Sequence, residues 1–222
     1  MQEYRIDSNQ IHLQGRIVQG PDFSHQLYSD SFYRILVEVP RLSGVMDCLP
    51  VTLSPRMMAR HQWKVGMLVD IAGQIRSYNR MEGSHNRLVL TVYAHRMEEL
   101  SIPGSLGGVN DVTLAGTLCR PPAYRTTPLM RRISDLLIAV NRPYHKSDYI
   151  PAIAWGERAQ ATCRLRVGER VVLTGRMQSR EYIKRIPGEP DQVRTAYEVS
   201  VSRIRRETGP EWELSRDTGK EG

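Results

Sequence analysis

Leu136–Arg158 reads LLIAVNRPYHKSDYIPAIAWGER and Val167–Arg185 reads VGERVVLTGRMQSREYIKR. Both blocks have the short apolar runs and turn residues of β-strands, and the segment between them has room for one helix. Their aromatics, Tyr144, Tyr149, Trp155 and Tyr182, fall among Arg142, Lys146, Arg158, Arg176, Arg180, Lys184 and Arg185. Flat rings beside mobile cations suit a flexible polyanion with exposed bases: the rings stack on bases while Lys and Arg follow the phosphates. The mixture points to single-stranded nucleic acid as a partner.

Working outward, the same pattern occurs twice. IHLQGRI (11–17) lies beside VTLAGTL (112–118), LVEVPRLSG (36–44) beside LIAVNRPYH (137–145), and DCLPVTLSPR (47–56) beside DYIPAIAWGER (148–158). KVGMLVDIAGQIRSY (64–78) then matches RVGERVVLTGRMQSR (166–180). This is the signature of a tandem duplication. The expected organisation is a first domain over 1–100, a Gly/Pro/Ser-rich linker at 101–110, a second domain over 111–206, and a polar, disordered tail at 207–222.

Each copy reads as five short strands. Ile11, Leu13 and Ile17 alternate with polar residues, as do Tyr33, Ile35, Val37 and Val39; Val112, Leu114, Leu136, Ile138 and Val140 take the same places in the second copy. A third strand is expected at Leu49–Leu53 and Ile150–Trp155, and a helix at Arg56–Trp63 and Glu157–Leu165. The fourth strand is expected at Leu68–Gly73 and Arg170–Gly175, and the fifth at Arg87–Tyr93 and Thr195–Ser202. Pro50 and Pro151, early in the third strands, predict a bulge, a strand start or an edge there. NRMEGSHNR (79–87) and EYIKRIPGEPDQVR (181–194) read as loops, the longer one reaching over a ligand groove with Lys184, Arg185 and Arg194. The fold class is therefore mainly all-β: two tandem five-stranded barrels, each with a short helix between strands 3 and 4.

The order and spacing of GTL, AVNRPY, DYIPAIAWGE and VGERVVLTGRMQSREY resemble the bacterial single-stranded DNA-binding proteins, over roughly Asp111–Arg206. The resemblance implies that the barrels are OB-folds. It also implies that Tyr144, Tyr149, Trp155 and Tyr182 occupy the family's four base-stacking positions, and that two-barrel chains pair as homodimers. Residues 207–222 lack the acidic, aromatic-tipped peptide by which that family recruits replication or repair proteins. Independently of the resemblance, Tyr149 and Trp155 are six residues apart and so share one face of a strand. Ile153 is on that face too, which leaves open that it is the barrel interior.

Charge is unevenly placed. Residues 1–105 hold 11 Lys and Arg against 10 Asp and Glu, residues 106–206 hold 18 against 9, and residues 207–222 hold 2 against 5. The basic excess, and with it polyanion contact, is expected in the second copy. In the first copy, Ser43, Cys48, Ser54 and Arg80 stand where the second has its four rings. That copy is expected to be degenerate as a DNA binder and to serve assembly or a protein contact.

Several classes are disfavoured. No apolar run approaches the roughly 20 residues of a membrane span, and MQEYRIDSNQ has no signal core, so a cytoplasmic, nucleoid-associated protein is expected. Cys48, Cys119 and Cys163 are odd in number and lack C-x-x-C spacing, arguing against disulfides and structural zinc; they read as buried small residues. The six histidines have no metal-ligand spacing and no phosphate-binding glycine loop is present, so neither an enzyme nor a cofactor is expected. The leading reading is sequence-tolerant binding and protection of single-stranded DNA in replication, recombination or repair. The alternatives are a primosome-like module acting mainly through protein partners, and an RNA binder.

Overall fold

The structure, a computed structural model, describes residues 8–82, 85–101, 108–185 and 190–207. The first half runs β1 (Asn9–Leu27), β2 (Asp30–Pro40), β3 (Met46–Leu53), α1 (Pro55–Arg60), β4 (Leu68–Glu82) and β5 (His85–Glu99). The second runs β6 (Asn110–Leu118), β7 (Ala123–Thr126), β8 (Arg132–Arg142), β9 (Lys146–Trp155), α2 (Glu157–Thr162), β10 (Arg170–Lys184) and β11 (Gln192–Arg206).

In the first half the order β1-β2-β3-β5-β4 closes on itself through β1–β4, with a short parallel β3–β5 contact. The second half repeats this as β6-β8-β9-β11-β10, while β7 forms a side hairpin with β8. The expected two barrels with a helix between strands 3 and 4 are thus present. Residues of one parity fill them: Ile35, Val37, Val39, Leu49, Val51 and Leu53 in one, Leu136, Ile138, Val140, Ile150, Ala152 and Ala154 in the other. A strand that exposes alternate faces can bury one such row, so the period-two pattern specifies the register.

Matched glycines make closure possible. A Cβ on Gly15 or Gly116 would strike the Glu38 or Ala139 carbonyl oxygen, and one on Gly73 or Gly175 would strike that of Tyr93 or Ser200. The last two sit at the ladder shifts where the partner strands β5 and β11 each carry one extra residue, His95 and Ser202, and such a bulge bends a strand around a barrel. Pro50 lies opposite Leu36 and Pro151 opposite Leu137. The second neighbour of each strand begins one residue later, at Val51 and Ala152, so each proline meets the expected local edge.

The barrels share one continuous sheet because β1 pairs antiparallel with β6, from Asn9 opposite Leu114 to Leu13 opposite Asn110. Two equivalent clamps flank this seam. The Asn9 amide donates to the Ile75 carbonyl (2.7 Å) and accepts from its N–H (2.9 Å). Asn110 does the same to Met177 at the same two distances.

Four expectations change. β4–β5 and β10–β11 are long hairpins whose ladders extend to Glu82–His85 and Lys184–Gln192, so most of the two supposed loops is strand. The mixed polar composition of those stretches hid them: an arm exposed on both faces has no apolar alternation to show. Of the expected linker, residues 102–107 lie outside the described residues, but Asn110 is buried in β6. Glu207, taken as the first tail residue, is bound to Arg170 through both backbone and side chain; residues 208–222, including Trp212, lie outside the described residues. Lastly, Cys48 and Cys119 are half-buried and Cys163 is exposed, so none is the core residue expected. Cys48 has outward parity on β3, and Cys163 caps the C-terminal end of α2.

Candidate nucleic-acid interface

On β9 the interior row is Ile150, Ala152 and Ala154, which leaves Tyr149, Pro151, Ile153 and Trp155 on the opposite face, where Ile153 is nonetheless covered at 5% exposure. The interior reading of the Tyr149–Trp155 face is therefore excluded. Tyr149 is 47% exposed and Trp155 partly exposed. Tyr144 caps the turn from β8 to β9 with a positive φ of 63° and 90% exposure, free of any packing role. Tyr182 stands on the β10 arm, opposite Arg194 on β11.

Between the two hairpin arms lies an open cleft of about 760 Å³. Tyr182, Lys184, Arg194 and Tyr197 form its wall on the second barrel, and Arg34, Tyr78, Arg80 and Arg87 its wall on the first. Pro151, from the middle of the outward β9 row, also lines it. The cleft and the Tyr149–Trp155 row thus adjoin. Burial is the leading cause that pushes the Tyr197 phenol up, with Cys48 adding to it against the pull of Arg34 and Arg87. Tyr197 therefore stays a neutral hydroxyl in a positively charged wall.

The expected cations divide. Lys146 and Arg158 are exposed on β9 and α2, and Lys184 lines the cleft. Arg185 is 81% exposed, 3.6 Å from Asp191. Arg180 is 58% exposed, 3.7 Å from Glu198. Arg176 reaches Asp47 of the first barrel at 2.8 Å. Asp47, 1% exposed, also accepts from Arg41 and from the Ser179 N–H at 2.8 Å. Arg142 faces Asp148 at 3.5 Å. Asp148 is wholly buried and binds Arg76 at 2.9 Å and the Ser77 N–H at 2.8 Å across the joint.

These two knots are equivalent by the repeat. Asp47 and Asp148 each enter the other barrel, the Tyr149 N–H donates to the Ser77 hydroxyl (2.7 Å), and the Cys48 N–H donates to the Ser179 hydroxyl (3.1 Å). The arginines are not matched: Arg76 aligns with Gln178 and Arg176 with Gln74, so each barrel supplies its cation from a different rung. Burial and the nearby Arg41 lower the Arg176 guanidinium from its ordinary value while Asp47 opposes them. A buried carboxylate needs such partners, since an uncompensated one is expensive. Arg176 and Arg142 are thus engaged by acidic residues at the joint.

What the reading from sequence missed is the first barrel's share of the cleft. Arg34 and Arg87 come from strands whose periodicity only announced a core, and their convergence depends on the β1–β6 seam. Arg80 carried a signal, since it stands at the position matching Tyr182.

Paired barrels of this topology, with rings and cations on outward strands, define a tandem OB-fold protein. Residues 109–206, the second barrel, match the single-strand binding protein family. A single-stranded DNA-binding protein of Deinococcus radiodurans is 31% identical over 140 residues, covering 54% of this chain and 46% of that protein. Single-stranded DNA-binding protein 1 of Lactococcus lactis is 31% identical over 81 residues, covering 33% of this chain and 54% of that protein. The chain thus spans about half the length of the curated relatives it matches. The wild-type single-stranded DNA binding protein of Thermus aquaticus shares the fold, with a TM-score of 0.74 at 22% identity over 93% of this chain and 96% of that one.

Proposed function

We propose that the protein binds single-stranded DNA with little sequence preference, shielding or holding open strands in replication, recombination or repair. The observation that carries this is the outward Tyr149–Trp155 row on a rigid barrel strand, running into a cleft walled by Tyr182, Lys184 and Arg194. Rings on a barrel strand take stacked bases without reordering, and cations in the cleft follow phosphates. Tyr144, at the exposed turn, supplies a further platform. The match of residues 109–206 to the single-strand binding protein family supports the same reading.

A sheet that already unites two barrels would gather four in a homodimer; light scattering at twice the chain mass would support that arrangement. The test of binding is titration of an oligo-dT of about 35 nucleotides, long enough to span two OB units, at two salt concentrations with intrinsic fluorescence as the signal. Tight binding that weakens with salt, and weakens again in Tyr149→Ala and Trp155→Ala, is expected. Binding indifferent to both substitutions would refute the ring assignment. Competition with the matched RNA oligomer distinguishes the two nucleic acids.

A further inference from the structure

On β2, Ile35, Val37 and Val39 are buried in the first barrel, so Phe32 and Arg34 face outward. On β5, Val92 and Ala94 are buried, so Tyr93 and His95 face outward. The arm of β1 places His25 opposite Phe32. The result is a strip of rings drawn from three strands. His25 and Phe32 are stacked, with centroids 4.9 Å apart and planes 6° from parallel. Phe32 meets Tyr93 at 6.3 Å, and Tyr93 meets His95 edge-on at 5.4 Å.

None of these residues stands at a position the repeat matches to Tyr144, Tyr149, Trp155 or Tyr182. The strip is nonetheless continuous with the cleft. Tyr93 lies opposite Thr52, and Thr52 opposite Arg34, and both Thr52 and Arg34 line the cleft wall. Burial first, and then the charge of Arg76, holds the His95 imidazole below its usual range, so it presents a neutral ring at pH 7. Interleaved rings and arginine on an outward barrel face are the composition that takes unpaired bases.

We propose that the His25–Phe32–Tyr93 strip is a second base-stacking surface for single-stranded nucleic acid, continuing the path from the second barrel through the cleft onto the first. The inference rests on the reading of the second barrel as a nucleic-acid binder. It restricts the expected degeneracy of the first barrel to the matched positions: there the rings are gone, and a displaced set takes their place.

The test uses the full chain and two oligo-dT probes, one of about 8 nucleotides, within the span of one OB unit, and one of about 35. Phe32→Leu with Tyr93→Leu keeps apolar packing and removes the π faces. It should weaken the long probe about 10- to 100-fold and leave the short probe unchanged. Tyr149→Ala should weaken both. An unchanged long-probe affinity in the folded double variant would overturn the proposal and make the strip a staple for the β1–β2 arm.

Photo-crosslinking of the unmodified protein to a 5-iodouracil oligomer of about 35 nucleotides, read by peptide mass spectrometry, gives an answer even where the double variant fails to fold. Adducts at His25, Phe32 or Tyr93 are expected. Adducts confined to the second barrel would reject this inference and leave the proposed function standing, whereas no binding and no adducts would reject both.

Discussion

DCLPVTLSPR and DYIPAIAWGER follow one path through their two barrels, yet only some of their residues serve the same purpose. Asp47 and Asp148 both plunge into the opposite barrel, Leu49 and Ile150 both fill an interior, and Pro50 and Pro151 both meet an edge. The outward positions have parted: Cys48 stands for Tyr149 and Ser54 for Trp155. Interior and joint positions are held in common because a change there strands a buried charge or leaves a void. Outward positions carry no such penalty, so the two copies could specialise.

The largest effect is expected at the joint. Asp148→Ala removes the acceptor of Arg76 and of the Ser77 N–H together, and Asp47→Ala removes that of Arg176, Arg41 and the Ser179 N–H. Breaking a buried pair by deleting one partner costs roughly 3–5 kcal/mol. The arginines retain some solvent access, at 22–34% exposure, so the loss should fall near the lower end, about 3 kcal/mol for each variant. Urea unfolding measures it. Equal losses would establish the joint as two-fold in energy as well as in geometry; a large loss at one aspartate alone would break the equivalence.

Next in size is the outward row. Tyr149→Ala and Trp155→Ala should each cost about 1–3 kcal/mol of binding to oligo-dT, while Cys48→Ala and Ser54→Ala, at the matched positions of the first barrel, should leave affinity unchanged. Fluorescence titration of all four variants under one salt condition makes the comparison. A loss in Cys48→Ala comparable to that in Tyr149→Ala would mean that the two faces have not diverged in function.

A smaller effect separates ring from cation at one matched site. Tyr182 and Arg80 line the same cleft from opposite barrels. Tyr182→Ala should lower affinity by a similar factor at every salt concentration. Arg80→Ala should instead flatten the plot of log affinity against log salt by about 0.7, the share of one phosphate on a single strand. An unchanged slope in Arg80→Ala would remove that side chain from the strand's path.

The fold could be read in the sequence wherever two copies repeat one steric demand. Gly15 with Gly116, Gly73 with Gly175, and the apolar rows of β2 and β8 fall into this class, since each is a local requirement stated twice. The row of Tyr149 and Trp155 was legible from parity, and the structure decides which way it faces. The Asp47–Arg176 and Asp148–Arg76 pairs were not legible. Their partners are far apart in sequence, and the arginines occupy unmatched rungs, so neither periodicity nor the repeat marks them. The ring strip was hidden for the same reason: His25, Phe32 and Tyr93 become neighbours only when three strands close around a barrel.

The smallest expected effect concerns the face of the shared sheet beside the seam. In the first barrel Asp70 on β4 binds the Gln14 amide (2.7 Å) and the His12 ring (2.8 Å), with Arg96 at 3.4 Å. The matched residues of the second barrel are Val172, Ala115 and Thr113, which cannot titrate. Burial pushes the Asp70 carboxyl up, but the hydrogen bonds from Gln14 and His12, with the charges of His12 and Arg96, outweigh it and hold the group below its ordinary 3.8. A carboxyl whose value is depressed by folding adds stability above its unfolded value and loses it as pH falls through the folded one. The wild-type protein should therefore lose a small increment of stability below about pH 4 that Asp70→Asn has already lost at neutral pH. Thermal unfolding of both proteins from neutral pH downward should show two curves that converge in acid. Curves that stay parallel would mean that Asp70 gains nothing from its partners, and that this face of the two barrels differs in composition but not in energy.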